Sequence, residues 1–280
     1  MSIENKKDKI ASVKRVKELL SMYNLKAKKS FGQNFLINRS VVDEMVDCLD
    51  LQESDLVLEI GPGLGAVTEA LLEQKSKVVA VELDRDMAHI LEETLQKEYR
   101  SLEIINEDFL ETKWERLNAT KIVGNLPYYI STPILMEIIR KESPWQKLIF
   151  TLQWEVVQKL VASPSNKSYN ALSSAVQCFG TPKVIKKLPP HFFLPQPDVH
   201  SGVVLIERKD LDLDNRTLNL LWQILDNAYQ TRRKTLQNNL SGILPQGFRS
   251  SLDLTKRAEQ FAADEFIILA KELSAYISRQ

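Results

Sequence analysis

Between residues 55 and 207 of the chain, short β-branched runs alternate with stretches whose apolar residues recur every three or four positions. DLVLEI (55–60), KVVAVE (77–82), LEIIN (102–106), KIVGN (121–125) and KLIFTLQ (147–153) read as strands, each followed by a helix or loop. Strands joined by helical crossovers pair in parallel, because the crossover returns the chain to the same end of the sheet. The pattern therefore predicts an α/β fold with a mostly parallel sheet and helices on both faces. PKVIKK (182–187) and SGVVLIER (201–208) flank the proline-rich LPPHFFLPQPDV and predict an antiparallel hairpin closing one edge. Upstream, Ile10, Val13, Val16, Leu20 and Tyr23 share one helical face, which predicts a basic amphipathic helix over residues 8–25. Past Arg208 strand-like runs stop. KDLDLDNR is polar, and then Leu218, Leu221, Ile224, Leu225 and Tyr229 recur at helical spacing. Two domains are expected, residues 1–210 and a small all-α domain over 211–280.

With 280 residues and 44% hydrophobic content, the chain can bury a proper core, which excludes a disordered protein. No stretch approaches the roughly 20 apolar residues that span a bilayer, and the N-terminal lysines precede no apolar run. A soluble, cytoplasmic protein with no membrane partner is expected. Cys48 and Cys178 have neither C-x-x-C spacing nor a histidine partner, so they read as buried thiols and no metal site is expected.

The formal net charge is zero, which as a sum argues against a nucleic-acid partner. Its distribution argues the other way. Residues 1–40 hold ten Lys/Arg against three acids, residues 41–115 hold six against twenty, and residues 116–280 hold twenty-one against fourteen. Basic segments flanking an acidic middle suit a phosphate backbone gripped from the ends and a cationic cofactor held in the centre. Solvated helix faces would give the same blocks.

The strongest local signal is VLEIGPGLGAVTEAL, where a strand enters glycines 61, 63 and 65 and a helix leaves. Glycine permits the sharp turn and the close approach of a ligand to backbone, and the helix N-terminus adds amide donors. With Ala66 the run also satisfies the dinucleotide fingerprint, so a nicotinamide or flavin enzyme is a rival reading. Glu82, ending the next strand, suits ribose hydroxyls in either class. Two other acids discriminate. Glu59 would repel a pyrophosphate but suits a ligand carrying an ammonium and a sulfonium. In NEDFL, Asp108 could accept from an adenine amino group, although a helix N-cap is its plainer reading. Together the three acids favour S-adenosylmethionine over NAD.

The fourth strand ends in GNLPYYIS (124–131). An adenine N6 amine is a poor nucleophile because its lone pair is delocalised into the ring. The Asn125 side-chain oxygen and the Leu126 carbonyl could accept its two hydrogens and favour a tetrahedral nitrogen, with Pro127 fixing the turn and Tyr128 stacking on the base. A base in a helix must first leave its stack. No titrating side chain is required, so the absence of a Ser/His/Asp or metal-ligand set fits. An ordinary strand-to-turn junction is the bland alternative.

These residues resemble a known family, the KsgA/RsmA ribosomal RNA adenine N6,N6-dimethyltransferases, related to the Erm resistance methyltransferases. The resemblance runs from KKSFGQNFL through EIGPGLGAVTE, VVAVELDRD, EDFL, GNLPYYISTPIL, LQWEVVQKLVASPSNKSYNALS and LPPHFFLPQPDVHSGVV to AYQTRRKTLQNNL. It implies a Rossmann-like class I methyltransferase sheet in residues 1–210 and an RNA-contacting helical domain in 211–280. It also implies dimethylation of two adjacent adenosines in the 3′-terminal hairpin of small-subunit (16S) ribosomal RNA during ribosome biogenesis. S-adenosyl-L-methionine would be the cofactor, S-adenosylhomocysteine the product, the immature small ribosomal subunit the partner, and the enzyme a monomer. For the cofactor it implies Gln33, Asn34, Leu36, Gly61, Glu82, Asp108 and Asn125, to which the reading of the residues adds Glu59, Gly63 and Gly65. For catalysis the residues themselves point to Asn125, Leu126, Pro127 and Tyr128, and the resemblance adds Phe193, packing on the target base opposite Tyr128 while Phe192 fills the core. From the charge blocks come the candidate RNA contacts Lys14, Arg15, Lys17, Lys28, Lys29, Arg232, Arg233 and Lys234, the last three opening a helix. Erm-like methylation of large-subunit RNA, or a non-catalytic assembly factor, are the rivals.

Overall fold

The structure, a computed structural model, describes residues 8–28, 31–52, 55–141 and 143–280. Among the described residues the strands are β1 (Phe35–Leu36), β2 (Leu56–Ile60), β3 (Lys77–Val81), β4 (Leu102–Ile105), β5 (Lys121–Asn125), β6 (Lys147–Gln153), β7 (Gly180–Leu188), β8 (Phe193–Leu194) and β9 (Ser201–Arg208). Seven form one sheet in the order β4-β3-β2-β5-β6-β9-β7, and β1 pairs with β8 separately. Strands β2, β3, β4, β5 and β6 pair in parallel with one another, while β9 runs antiparallel to β6. This is the mostly parallel sheet with an antiparallel edge that the alternating pattern predicts. The chain steps outward from β2 in both directions, leaving a crevice at the strand C-termini between β2 and β5.

The helices are α1 (Val13–Met22), α2 (Arg39–Asp47), α3 (Ala66–Glu73), α4 (Arg85–Leu91), α5 (Ser131–Arg140), α6 (Trp154–Leu160), α7 (Ala171–Phe179), α8 (Asn215–Ala228), α9 (Leu236–Asn239) and α10 (Ala263–Ile277). Helix α1 is shorter than the 8–25 expected, because the Ser12 side chain caps it by accepting from the Arg15 amide. Ile10 precedes the cap, is buried, and donates its backbone N–H to the Glu69 carboxylate at 3.0 Å. Both faces of the sheet are buried, since consecutive residues that point to opposite faces, Val57 and Leu58 or Ile122 and Val123, have no exposed surface, nor have Leu148 and Phe150. Each such side chain contributes about 1.5–3 kcal/mol by leaving water.

Contacts divide the chain into two units, one of Met1–Val157 with Lys183–Glu207 and one of Gln158–Pro182 with Arg208–Gln280. The single boundary expected at 210/211 thus has a second partner. Segment 158–182 groups with the helical unit, because α7 buries Val176, Cys178 and Phe179 among α8 and α10. Phe179 stacks on Trp222 with ring centroids 4.4 Å apart. Among the described residues no helix is long and apolar enough to cross a membrane, and no group of His, Cys, Asp or Glu could hold a metal ion.

Candidate active site

The crevice at the C-terminal ends of β2, β3 and β5 opens into a cavity with about 1090 Å³ of empty space, part of it open to solvent. Its wall includes Gln33, Asn34, Leu36, Glu59, Gly61, Gly63, Glu82, Asp108, Asn125, Leu126, Pro127 and Tyr128. The expected cofactor loop, adenosine acids and amine acceptors are therefore brought together around one space. Gly65 is not in that wall. It starts α3 in the left-handed region at φ 91°, where an added Cβ would also lie 2.7 Å from Leu91 and Leu95 side-chain atoms.

Each acid is held differently. Glu59 is buried, and its Oε2 has no well-formed hydrogen bond among the described residues, although Thr68 stands close enough to act against the upward shift of its carboxyl. Burial pushes the Glu59 carboxyl up to about 8, and the nearby Glu82 carboxylate acts in the same direction. Glu82 accepts from the Gly63 amide at 2.9 Å and from the Asp84 amide at 2.8 Å, so it shapes the glycine turn as well as facing the cavity. Its carboxyl is also shifted upward by burial. Asp108 accepts from the Leu110 amide at 2.9 Å, a local turn that uses one carboxylate oxygen.

Asn125 ends β5 half-buried, and its Nδ2 donates to the Asn34 carbonyl at 2.8 Å. That bond fixes which end of the amide meets Asn34 and leaves Oδ1 as the acceptor end of a side chain in the cavity wall. Leu126 is buried, its amide donating to the Thr151 carbonyl at 3.2 Å. Tyr128 is half-buried, with its hydroxyl 2.6 Å from the Ser201 hydroxyl and its pKa raised by burial. The neighbouring Tyr129 is 59% exposed at the mouth.

Several expectations change. Phe193 is fully buried in the core and absent from the cavity wall, whereas Phe192 is only partly buried. Antiparallel pairing sets Phe193 opposite Leu36 and turns its ring inward, while Phe192 packs partly buried against the same core, and neither is in the cavity wall. Gln33 reaches the cavity with its amide already committed, accepting from the Lys28 backbone at 2.8 Å and donating to Asp84 at 2.7 Å. Lys28 is not a free cation for phosphate: it pairs with Asp84 at 2.7 Å and Asp86 at 2.6 Å. Lys14 pairs with Asp8 and Arg15 with Glu18, while Lys17 is exposed. Lys29 lies outside the described residues. Arg232, Arg233 and Lys234 are exposed and form no ion pair among the described residues, but they occupy the turn before α9, not its first turn.

Sequence reasoning missed the β1–β8 pairing, the Asn34–Asn125 bond and the burial of Asp84. A two-residue strand has no periodicity to read, and a side chain bonded 91 positions away leaves no local signal.

The chain matches the family model described as ribosomal RNA adenine dimethylase over residues 24–274. It is 36% identical to a protein named ribosomal RNA small subunit methyltransferase A from Alkaliphilus oremlandii, over 95% of this chain and 99% of that one. The protein of the same name from Bacillus licheniformis is also 36% identical, over 94% and 97%. Among solved structures it resembles a dimethyladenosine transferase from Plasmodium falciparum, with TM-score 0.72 and 21% identity over 85% of this chain and 96% of that one. It also resembles the 23S rRNA methyltransferase ErmE, with TM-score 0.65 and 19% identity over 86% and 100%.

Proposed function

From the premise that this chain belongs to the ribosomal RNA adenine dimethylase family, we propose that it transfers methyl groups from S-adenosylmethionine to the N6 amines of two adjacent adenosines near the 3′ end of small-subunit ribosomal RNA. One observation carries the reading: Asn125 is anchored through Nδ2 to the Asn34 carbonyl, so that Oδ1 is the end offered to an amine beside the glycine loop. The near full-length relatives bear the small-subunit name, whereas likeness to the large-subunit enzyme is one of fold. When bound, S-adenosylmethionine supplies an electrophilic methyl group on a sulfonium. The chain's own work is to hold and orient. Glu59, Glu82 and Asp108 are assigned to the ammonium side, the ribose and the adenine of the cofactor, and the unpartnered Glu59 oxygen is a buried acceptor awaiting a donor. Asn125 Oδ1 and the Leu126 carbonyl accept from the target amine and turn its lone pair toward the methyl group. Tyr128 covers the base, and Phe192, not Phe193, is the half-buried aromatic of its pair. Incubation of unmodified small subunits with labelled methyl donor, followed by mapping, tests the proposal. Label confined to large-subunit RNA, or absent, overturns it.

Burial of Glu59 makes cofactor binding a proton-linked event. With its carboxyl raised to about 8, the folded chain without cofactor holds a proton at pH 7 that the unfolded chain releases. That proton's contribution to stability is complete below the ordinary carboxyl range and is lost as pH rises through about 8. A ligand bearing an ammonium and a sulfonium favours the carboxylate instead, so binding at pH 7 should expel the proton. Calorimetry in buffers of different ionisation enthalpy should show this release in the native chain and not in Glu59→Gln, which should also bind more weakly. Native binding without proton release refutes the linkage.

The exposed Arg232, Arg233 and Lys234 are proposed to hold RNA phosphates. Each phosphate neutralised contributes a salt-dependence slope of roughly −0.7 to −0.9 in log–log form. Replacing all three by Gln should weaken binding to the ribosomal substrate and flatten the slope, with S-adenosylmethionine affinity unchanged. An unchanged slope would place the grip elsewhere.

A further inference from the structure

We infer that Asp84 is a positioning residue that locks the turn carrying Gln33 and Asn34 against the floor of the cleft, and through it sets which end of the Asn125 amide faces the target amine. The inference rests on the function proposed above for Asn125. Asp84 is 2% exposed and carries more hydrogen bonds than its place at the start of α4 requires. Its Oδ1 caps α4 by accepting from the Asp86 amide at 3.1 Å, a duty one oxygen fulfils. The same oxygen takes the Lys28 ammonium at 2.7 Å. Oδ2 is free of capping and accepts from Gln33 Nε2 at 2.7 Å.

Gln33 is thereby held at both ends, since its Oε1 accepts from the Lys28 backbone at 2.8 Å. The next residue is Asn34, whose carbonyl accepts from Asn125 Nδ2 at 2.8 Å. A displaced Asn34 carbonyl would remove the one partner that distinguishes the two ends of the Asn125 amide. The Asp84 backbone meanwhile donates to Glu82 Oε1 at 2.8 Å, and Glu82 Oε2 accepts from the Gly63 amide at 2.9 Å. A connected path of four hydrogen bonds and the Gln33–Asn34 peptide link therefore runs from the glycine turn through Glu82 and Asp84 to Gln33, Asn34 and Asn125. Buried polar chains of this kind hold geometry only while every member is satisfied.

A donor–acceptor swap tests it. Asp84→Asn keeps an oxygen to cap α4 but sets an amide NH2 against the Gln33 NH2. Gln33→Glu alone sets one carboxylate against another. Each should shift or broaden the Asn125 side-chain amide resonances, identified by their loss in Asn125→Ala. Each should also lower kcat roughly tenfold or more, the scale of one charged hydrogen bond, with KM for the methyl donor changing less. Sheet amide resonances should stay in place. The combined Gln33→Glu and Asp84→Asn variant restores a donor facing an acceptor, and should return both the resonances and kcat to within a few-fold of native. Native-like single variants, a combined variant no better than Asp84→Asn, or sheet resonances collapsing together with those of Asn125 would each overturn the inference. If resonances and rescue follow expectation but even the native chain methylates no RNA, the latch stands and the assigned function falls.

Discussion

Replacing Asn125 by Ala is expected to cut methyl transfer by about 10²–10³, the usual consequence of losing one acceptor aimed at the reacting group. The side chain reaches across the cleft from the last residue of β5, and its only degree of ambiguity, the exchange of oxygen and nitrogen, is removed by the Asn34 carbonyl 2.8 Å from Nδ2. What Oδ1 does for an adenine amine is electronic as much as geometric. By accepting a hydrogen it favours the lone pair on nitrogen over its delocalisation into the ring, so the loss should appear in the chemical step. Single-turnover transfer to unmodified subunits should therefore fall, while calorimetric affinity for S-adenosylmethionine changes by much less. Asp108→Ala offers the contrast, since its carboxylate is assigned to the cofactor and its loss should weaken binding first. Native single-turnover rates in Asn125→Ala would refute the assigned mechanism.

The largest expected effect on stability belongs to Gly124→Ala. A Cβ at Gly124 would sit 2.5 Å from the Ile60 carbonyl oxygen and 2.9 Å from a Leu126 methyl carbon. A methyl carbon at the end of a side chain can move aside, but the Ile60 carbonyl belongs to a central strand paired with neighbours on both sides. The sheet must part between β2 and β5. Overpacking of this kind costs about 1–3 kcal/mol or more, and each kcal/mol lowers the melting midpoint by about 2–4 °C in a domain of this size. Activity should fall further than stability alone explains, because Ile60 leads into the glycine turn and Gly124 into Asn125. The wedge would separate the cofactor half of the site from the amine half. Thermal unfolding and turnover of the variant, both at native values, would show that the strands accommodate the extra carbon.

The same two residues show where reading the chain reaches its limit. Strand ends at Ile60 and Asn125 were legible because β-branched runs stop abruptly at GPG and at LPY, and β5 and β6 were placed to the residue. Glu59, Glu82, Asp108 and Asn125 were legible as residues of the cavity wall for a related reason: in a parallel sheet the crevice opens at the strand C-termini, so position in the strand pattern indicates nearness to it.

Sequence alone thus determined the class of fold, the edges of the central strands, the glycine turn and the family, all of which depend on periodicity and on local spacing. Tertiary structure alone decided what faces what. Phe193 and Phe192 are adjacent aromatics with the same propensity, and only the pairing of β8 with β1 turns one into the core and leaves the other partly exposed. Lys28 is one cation among several in a basic segment, and only the approach of Asp84 and Asp86, 56 and 58 residues away, engages it in ion pairs within the chain. Segment 158–182 lies between strands in sequence, yet α7 finds its apolar partners on α8 and α10. In each case the deciding contact joins residues far apart in the chain, where no periodic pattern connects them.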